Sequence, residues 1–236
     1  DDDANPFLRH EYLAALTASG CAAAPAGWQP RFLLLQRDGA LVAAAPLYAK
    51  DHSYGEYVFD WSWAEAYHRH GLAYSPKALV AVPFTPVPGA RLLARDEAAR
   101  AALARALLAH TRASGLSSLH VLLAPARDIA ALEHAGLAIR DGVQFHWRNA
   151  GYARFDDFLA ALAQPKRKKI RAERRKVLDA GVVVERRVGA GITEADWRFF
   201  FRWYQSTYRA HMSSPYLNLD FFLRLVRQEN RRNSVR

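Results

Sequence analysis

Two stretches of the 236-residue chain concentrate side chains that could do chemistry. Residues 166–177, KRKKIRAERRKV, carry eight Lys or Arg against the single acid Glu173. Residues 53–63, SYGEYVFDWSW, set two carboxylates, Glu56 and Asp60, among Tyr54, Tyr57, Trp61 and Trp63 around one glycine. A dense cationic stretch can neutralise phosphate or carboxylate groups of a ligand. A carboxylate beside aromatic rings can accept hydrogen bonds from an amine or take its proton, so Glu56 and Asp60 are candidate catalytic residues.

Pro165 can open a helix, and no Gly or β-branched run interrupts the stretch until Val182. On that helix Arg167, Arg171 and Arg174 form one row at i, i+4 and i+7, while Ile170, Val177 and Leu178 form a narrow apolar stripe expected to be buried. Like charges at this spacing repel by about a few tenths of a kcal/mol per pair unless an anion neutralises them. Lys166, Arg167, Lys169, Arg171 and Arg174 are therefore the candidate anion-binding residues. Three readings stay open for them: a solvated face, a nucleic-acid grip, or a hold on a phosphate-bearing small molecule. The formal net charge is +10, of which this stretch supplies +7, so charge elsewhere is nearly balanced. No groove-reading motif accompanies it, and DNA is not an expected partner.

The acidic-aromatic stretch also has two readings. It forms an aromatic core with a buried Asp hydrogen-bonded to backbone, or it forms a pocket wall. In the second case Phe84 and Thr85 of PFTPVPG (83–89) line the same pocket as Tyr54, Tyr57, Trp61 and Trp63, because prolines leave carbonyls free. Other constellations are weaker. Arg186-x-x-Gly189-x-Gly191 matches the pattern by which acetyltransferases hold the coenzyme A pyrophosphate, although a tight turn explains it as well. His68 and His70 do not share a helix face, and no metal site is expected. Cys21 has no neighbouring His, and no Gly-x-Ser-x-Gly elbow exists.

The elements that position these residues follow from periodicity and turn signals. Residues 5–20 read as a helix opened by Asn5 and Pro6. Residues 28–51 read as a hairpin turning at Asp38-Gly39. Residues 53–71 begin extended and become helical near Trp63. Residues 77–93 read as a strand broken by three prolines. Residues 95–115 are the clearest helix, followed by a strand (116–125), a short helix (126–136) and a strand pair around Asp141-Gly142 (137–149). A second series follows: a helix (155–164), the basic helix, a strand (181–191), a helix opened by a Thr193–Asp196 capping box, and a last helix (216–230). This order implies an α/β (α+β) layered fold with mixed sheets.

Composition sets outer bounds. An apolar fraction of 51% with 12% aromatics belongs to a folded globular protein. The one cysteine fits a reducing compartment, no apolar run is long enough to span a bilayer, and no leader opens the chain, so a cytoplasmic location is expected. Arg outnumbers Lys 27 to 6, and four of the six Lys fall in the basic stretch. The chain opens on Asp and stops on NRRNSVR, so it is expected to be a fragment.

Taken together, NPFLRHEYLAAL, WQPRFLLL, APLYAKDHSYGEYVFDWSWAEAY, PKALVAVPFTPVPGARLL, FHWRNAGYARFDDFLAAL and KRKKIRAERRKV resemble the bacterial FemAB-like predicted N-acyltransferases, in order from Asn5 to about Leu223. These are relatives of the Fem-type peptidoglycan aminoacyltransferases in the acetyltransferase-like (GNAT) superfamily. The resemblance implies tandem acetyltransferase-like domains, the first over 1–150 and the second, truncated, over 151–236 with the basic helix at its start. It implies transfer of an acyl or aminoacyl group to an amine, from acyl-coenzyme A or aminoacyl-tRNA as donor substrate, with no tightly bound cofactor. The partners implied are an anionic small molecule or tRNA, and the fragment is expected to be inactive alone. Fem-type enzymes carry an Arg-x-x-Ile-Arg element, matched here by Arg167, Ile170 and Arg171, with Lys169 where those enzymes have Asn.

Overall fold

A computed structural model describes residues 5–233. The strands are β1 (Trp28–Pro30), β2 (Leu33–Arg37), β3 (Ala40–Ala45), β4 (Leu47–Lys50), β5 (Lys77–Val80), β6 (Leu93–Ala94) and β7 (Leu119–Val121). The helices are α1 (His10–Ala18), α2 (Trp61–Arg69), α3 (Glu97–Ala113), α4 (Ala126–His134), α5 (Phe155–Ala161), α6 (Gln164–Asp179), α7 (Glu194–Ala210) and α8 (Leu219–Asn233). Contacts divide the chain into two compact units: residues up to Ile139 together with those from Ile192 onward, and Arg140–Gly191.

The first unit is built on a hairpin that runs through two sheets. Asp38 and Gly39 both take positive φ, 51° and 77°, the backbone of a tight turn whose twist matches the flanking strands. β2 and β3 pair antiparallel from this turn, and β6 adds to β3. Pro46 ends β3, and the same two chain segments pair again as β1 and β4 in a second sheet of order β1-β4-β5-β7. There β4 and β5 are antiparallel and β5 and β7 parallel, the mixed sheet expected from the element order.

Alternation along the central strands separates two cores. Leu47, Ala78 and Val80 face one side, with Leu92, Leu103 and Leu107 beneath α3 and α4. Tyr48, Leu79 and Ala81 face the other, with Leu16, Trp28, Phe221 and Phe222 from α1, β1 and α8. The helices that follow residue 192 thus complete the core of the first unit. Asn218 fixes them: its side-chain amide donates to Ser19 O (2.7 Å), its Oδ1 caps Phe221 N (3.0 Å), and its backbone N donates to the buried Cys21 Sγ (3.3 Å). The boundary expected near residue 150 falls inside the Arg140–Gly191 unit, and all described strands belong to the first unit.

Within Arg140–Gly191, α5 and α6 are the regular elements besides a 3₁₀ turn at Gly189–Gly191. The strands expected over 137–149 and 181–191 do not form. Val143, Phe145, Val183 and Val184 have strand-like patterning, but a strand needs a ladder partner, and these side chains stand 81–97% exposed. The apolar stripe of α6 is also corrected. Ile170 is half-buried, while Val177 and Leu178 are exposed, because α6 has little in its own unit to pack against besides α5.

Candidate functional site

The site begins with two lysines. Lys50 ends β4, Lys77 begins β5, and the antiparallel register sets them directly opposite each other with both side chains fully buried. Two adjacent buried ammonium groups are untenable unless paired. The segment between β4 and α2 supplies the pairing by folding its two carboxylates onto the sheet end. Lys77 Nζ lies 2.5 Å from Asp60 Oδ2 and 3.0 Å from Glu56 Oε2, and donates to Ser53 Oγ at 3.0 Å. Asp60 Oδ2 accepts further hydrogen bonds from Tyr74 (2.6 Å) and Ser53 (3.1 Å). Lys50 Nζ donates to His52 O (2.5 Å), contacts His52 Nδ1 (3.0 Å) and sits 4.6 Å from the centre of the Trp28 ring. Two cations and two anions balance.

The electrostatics follow from this geometry. Burial alone would raise the Asp60 carboxyl, but hydrogen bonds from Lys77 and Tyr74 outweigh it and hold the group below its ordinary range. Burial wins at Glu56, whose carboxyl is pushed up despite Lys77. Burial, with Lys77 adding to it, pushes the Lys50 ammonium down to about 8, against the opposing pull of Glu56. Burial and then Lys50 lower the His52 imidazole. Glu56 Oε1 and Asp60 Oδ1 are buried without a hydrogen-bond partner among the described residues.

With its acids drawn inward, the segment turns its rings outward. Tyr54, Tyr57, Phe59 and Trp61 are exposed, and Tyr54 packs edge-on against Trp61 (5.3 Å). The path between them is strained: Gly55 has φ 82° and Tyr57 φ 58°. Gly55 is required twice over, since its φ of 82° disfavours a side chain and a Cβ there would lie 2.7 Å from the Phe84 ring; its carbonyl also accepts from Phe84 N (3.2 Å). Phe84 is itself held at φ 59°. Strain of this kind gathers where surrounding structure over-determines a functional conformation.

Phe84 stacks on Tyr216 at 5.0 Å and 17°, and Tyr216 is joined edge-on by Tyr57 (6.2 Å) and Tyr208 (6.1 Å). Tyr204 packs on Tyr208 at 4.9 Å, and its hydroxyl accepts from Leu217 N. Beside them Tyr12 and Thr85 share a hydrogen bond of 3.1 Å. Burial, then neighbouring tyrosines, push the Tyr57 and Tyr216 hydroxyls upward. Burial also raises Tyr204, with its hydrogen bond to Tyr208 adding to the shift. All three are protonated donors at neutral pH.

Of the residues expected to line a pocket, Tyr57, Phe84 and Thr85 come together with this tyrosine cluster, and Tyr54 and Trp61 form a neighbouring pair. Trp63, on α2, is exposed and makes no ring contact among the described residues. The buried-core reading of the acidic stretch is also modified, because Asp60 bonds side chains rather than backbone. In the Arg140–Gly191 unit, two of the five expected anion-binding residues have local work. Arg167 donates to the Ala160 and Leu162 carbonyls at the end of α5, and Arg174 stacks 4.5 Å over Phe155. Lys169 lies 3.9 Å from Glu173, and Lys166 and Arg171 carry no ion pair among the described residues. The Gly189–Gly191 turn leads to α7, where Asp196 N donates to Thr193 Oγ1 and Thr193 N donates to Asp196 Oδ2 in the capping box. No cluster of three metal-ligating side chains exists among the described residues.

Sequence reasoning missed Lys50, Lys77, Tyr74, Tyr204, Tyr208 and Tyr216. A signal for the lysines was present: in a chain that prefers Arg, Lys50 and Lys77 are the two lysines outside the basic helix, and both sit in apolar runs.

Fold and site define a mixed α/β protein in which a strained aromatic surface is fixed over a buried, charge-balanced network. The chain belongs to the FemAB-like family of peptidoglycan biosynthesis/recognition, whose family model matches residues 1–235. No curated protein and no solved structure matches it. No described helix is long and apolar enough to cross a membrane.

Proposed function

We propose that the protein is an N-acyltransferase that moves an acyl or aminoacyl group from an activated donor to an amine of a peptidoglycan precursor. The supporting observation is the convergence of Tyr57, Phe84 and Tyr208 on Tyr216, with Tyr57 and Phe84 held at positive φ. The amine nitrogen attacks the donor carbonyl, a C–N bond forms, and the C–S bond of an acyl-coenzyme A or the C–O bond of an aminoacyl-tRNA breaks. Negative charge gathers on the carbonyl oxygen, and protonated tyrosine hydroxyls aimed at it stabilise that charge. The amine proton passes through water to the leaving group. Glu56 and Asp60, paired to Lys77, serve as positioning residues for the loop. Within their own unit, Lys166 and Arg171 offer cationic side chains to a phosphate-bearing ligand.

A second reading, recognition without transfer, is favoured by one observation: both candidate carboxylates are buried in ion pairs rather than offered to an amine. One experiment separates the two. An amine-bearing muropeptide is incubated with the protein and either an acyl-coenzyme A or a charged tRNA, and the product mass is followed. Transfer that falls about 10²-fold in Tyr57→Phe, with thermal stability kept, supports the enzyme. Muropeptide binding without transfer from any donor establishes recognition.

A further inference from the structure

The end of α6 fixes where the chain goes next. Gly181 takes φ 69°, its N–H donates to Leu178 O (2.9 Å), and Val182 N donates to Val177 O (3.3 Å). This pair of bonds turns Val182 back toward the last turn of the helix. Val177, Leu178 and Val182 are nevertheless exposed, Leu178 to 71%, and Val183 and Val184 continue the apolar strip outside any strand. Five aliphatic side chains are thus held in water at one helix end, which is unfavourable without a cover.

The flank of the helix has the complementary need. Lys168, Arg171 and Arg175 stand at i, i+3 and i+7, and Leu178 extends the same row by three. This row is separate from Arg167 and Arg174, which hold α5. Its three cations make no ion pair among the described residues. Residues 164–188 hold ten Lys or Arg against Glu173, Asp179 and Glu185, and Glu173 and Glu185 already lie against Lys169 and Arg187. The helix wants anions along its side and apolar cover at its end.

We propose that α6 and residues 182–184 dock on an anionic phospholipid bilayer. Lys168, Arg171 and Arg175 meet headgroup phosphates, while Leu178 and the three valines enter the acyl boundary. An RNA strand would satisfy the cations equally well. It would not satisfy the valines, because aliphatic side chains offer no ring face for a base to stack on. The exposed Phe145 and Trp147 of the same unit suit either partner, so the valines decide. The proposal rests on reading α6 as a phosphate-binding helix, gives those phosphates a source, and does not depend on acyl transfer.

Flotation of the 236-residue protein with vesicles tests the assignment. The protein floats with vesicles of phosphatidylglycerol and phosphatidylcholine in equal parts, and not with phosphatidylcholine alone. Each cation near an anionic surface is worth about fivefold, so changing Lys168, Arg171 and Arg175 to Gln weakens binding to the mixed vesicles about a hundredfold. Val183→Ser combined with Val184→Ser weakens it about tenfold and leaves affinity for a short single-stranded RNA unchanged. All five side chains are exposed, so circular dichroism stays native in both variants. No flotation with the mixed vesicles, equal flotation with phosphatidylcholine alone, or indifference to either set of changes overturns the proposal. An RNA affinity that the serine pair weakens as much as the vesicle affinity assigns the valines to nucleic acid and also overturns it. So does a dimer in sedimentation that the serine pair dissolves while flotation is absent, which gives the strip to a second copy. Muropeptide binding is read separately in vesicle-free buffer, so its failure and the failure of vesicle binding are distinct results.

Discussion

The Lys50–Lys77 pair and the basic helix α6 draw on the same kind of side chain under opposite conditions. In the first unit two ammonium groups are removed from water, and every part of the surrounding loop answers to them: Glu56 and Asp60 turn inward, Tyr54 and Tyr57 turn outward, and Gly55 takes a backbone few residues tolerate. In α6 eight cations lie in water, with no buried residue in the helix, and only Arg167 and Arg174 are used to hold α5. Buried charge dictates conformation because leaving it unpaired costs several kcal/mol. Exposed charge is screened within about 10 Å at ordinary salt and dictates little until a ligand arrives.

The largest break in this comparison is Lys77→Met. Glu56 and Asp60 lose the cation they contact directly, and urea denaturation should show about 3–5 kcal/mol lost at neutral pH. Gly55→Ala should cost about 2–4 kcal/mol, combining an unfavourable positive φ with a Cβ pressed onto Phe84.

The Lys50 ammonium sharpens the contrast through pH. Its folded-state value is about 8 against an ordinary 10.5, so between these values the unfolded chain holds a proton that the folded chain has released. Stability contributed by this group therefore rises with pH across that window and is lowest below pH 8. The rise is at most about 3 kcal/mol, and it should be absent from Lys50→Met measured from pH 8 to 9.5. The smallest effects belong to the second unit. Arg174→Gln, which removes one exposed cation–π contact, should shift stability by about 0.5–1 kcal/mol.

Much of the first unit was legible in its sequence because its signals are local. Asp38-Gly39 fixed the hairpin, Asp96 and Gly115 bounded α3, and the three prolines after β5 marked the break that carries Phe84 and Thr85. The bending of one hairpin through two sheets was not legible, since Pro46 reads equally well as a turn. The strands expected at 137–149 and 181–191 show the opposite failure: alternation supplies a face but cannot supply the partner that makes a strand. Tyr57, Phe84 and Thr85 were singled out from a crowded glycine and a proline run, and the structure brings them to one aromatic cluster. Tyr204, Tyr208 and Tyr216 were not: helical spacing presents Tyr204 and Tyr208 as ordinary core, and Tyr216 meets Phe84 only because the segment between α7 and α8 reaches the break after β5.

Hydrogen exchange at the Ser53–Asp60 amides, read beside acyl transfer or muropeptide binding, tests the central claim most directly. In Lys77→Met these amides should lose protection together with muropeptide binding. In the variant with Lys166, Lys168, Arg171 and Arg175 all changed to Gln, they should remain as protected as in the parent protein. Equal protection in Lys77→Met with ligand binding intact would contradict the claim that the buried ion pairs hold the aromatic surface in place.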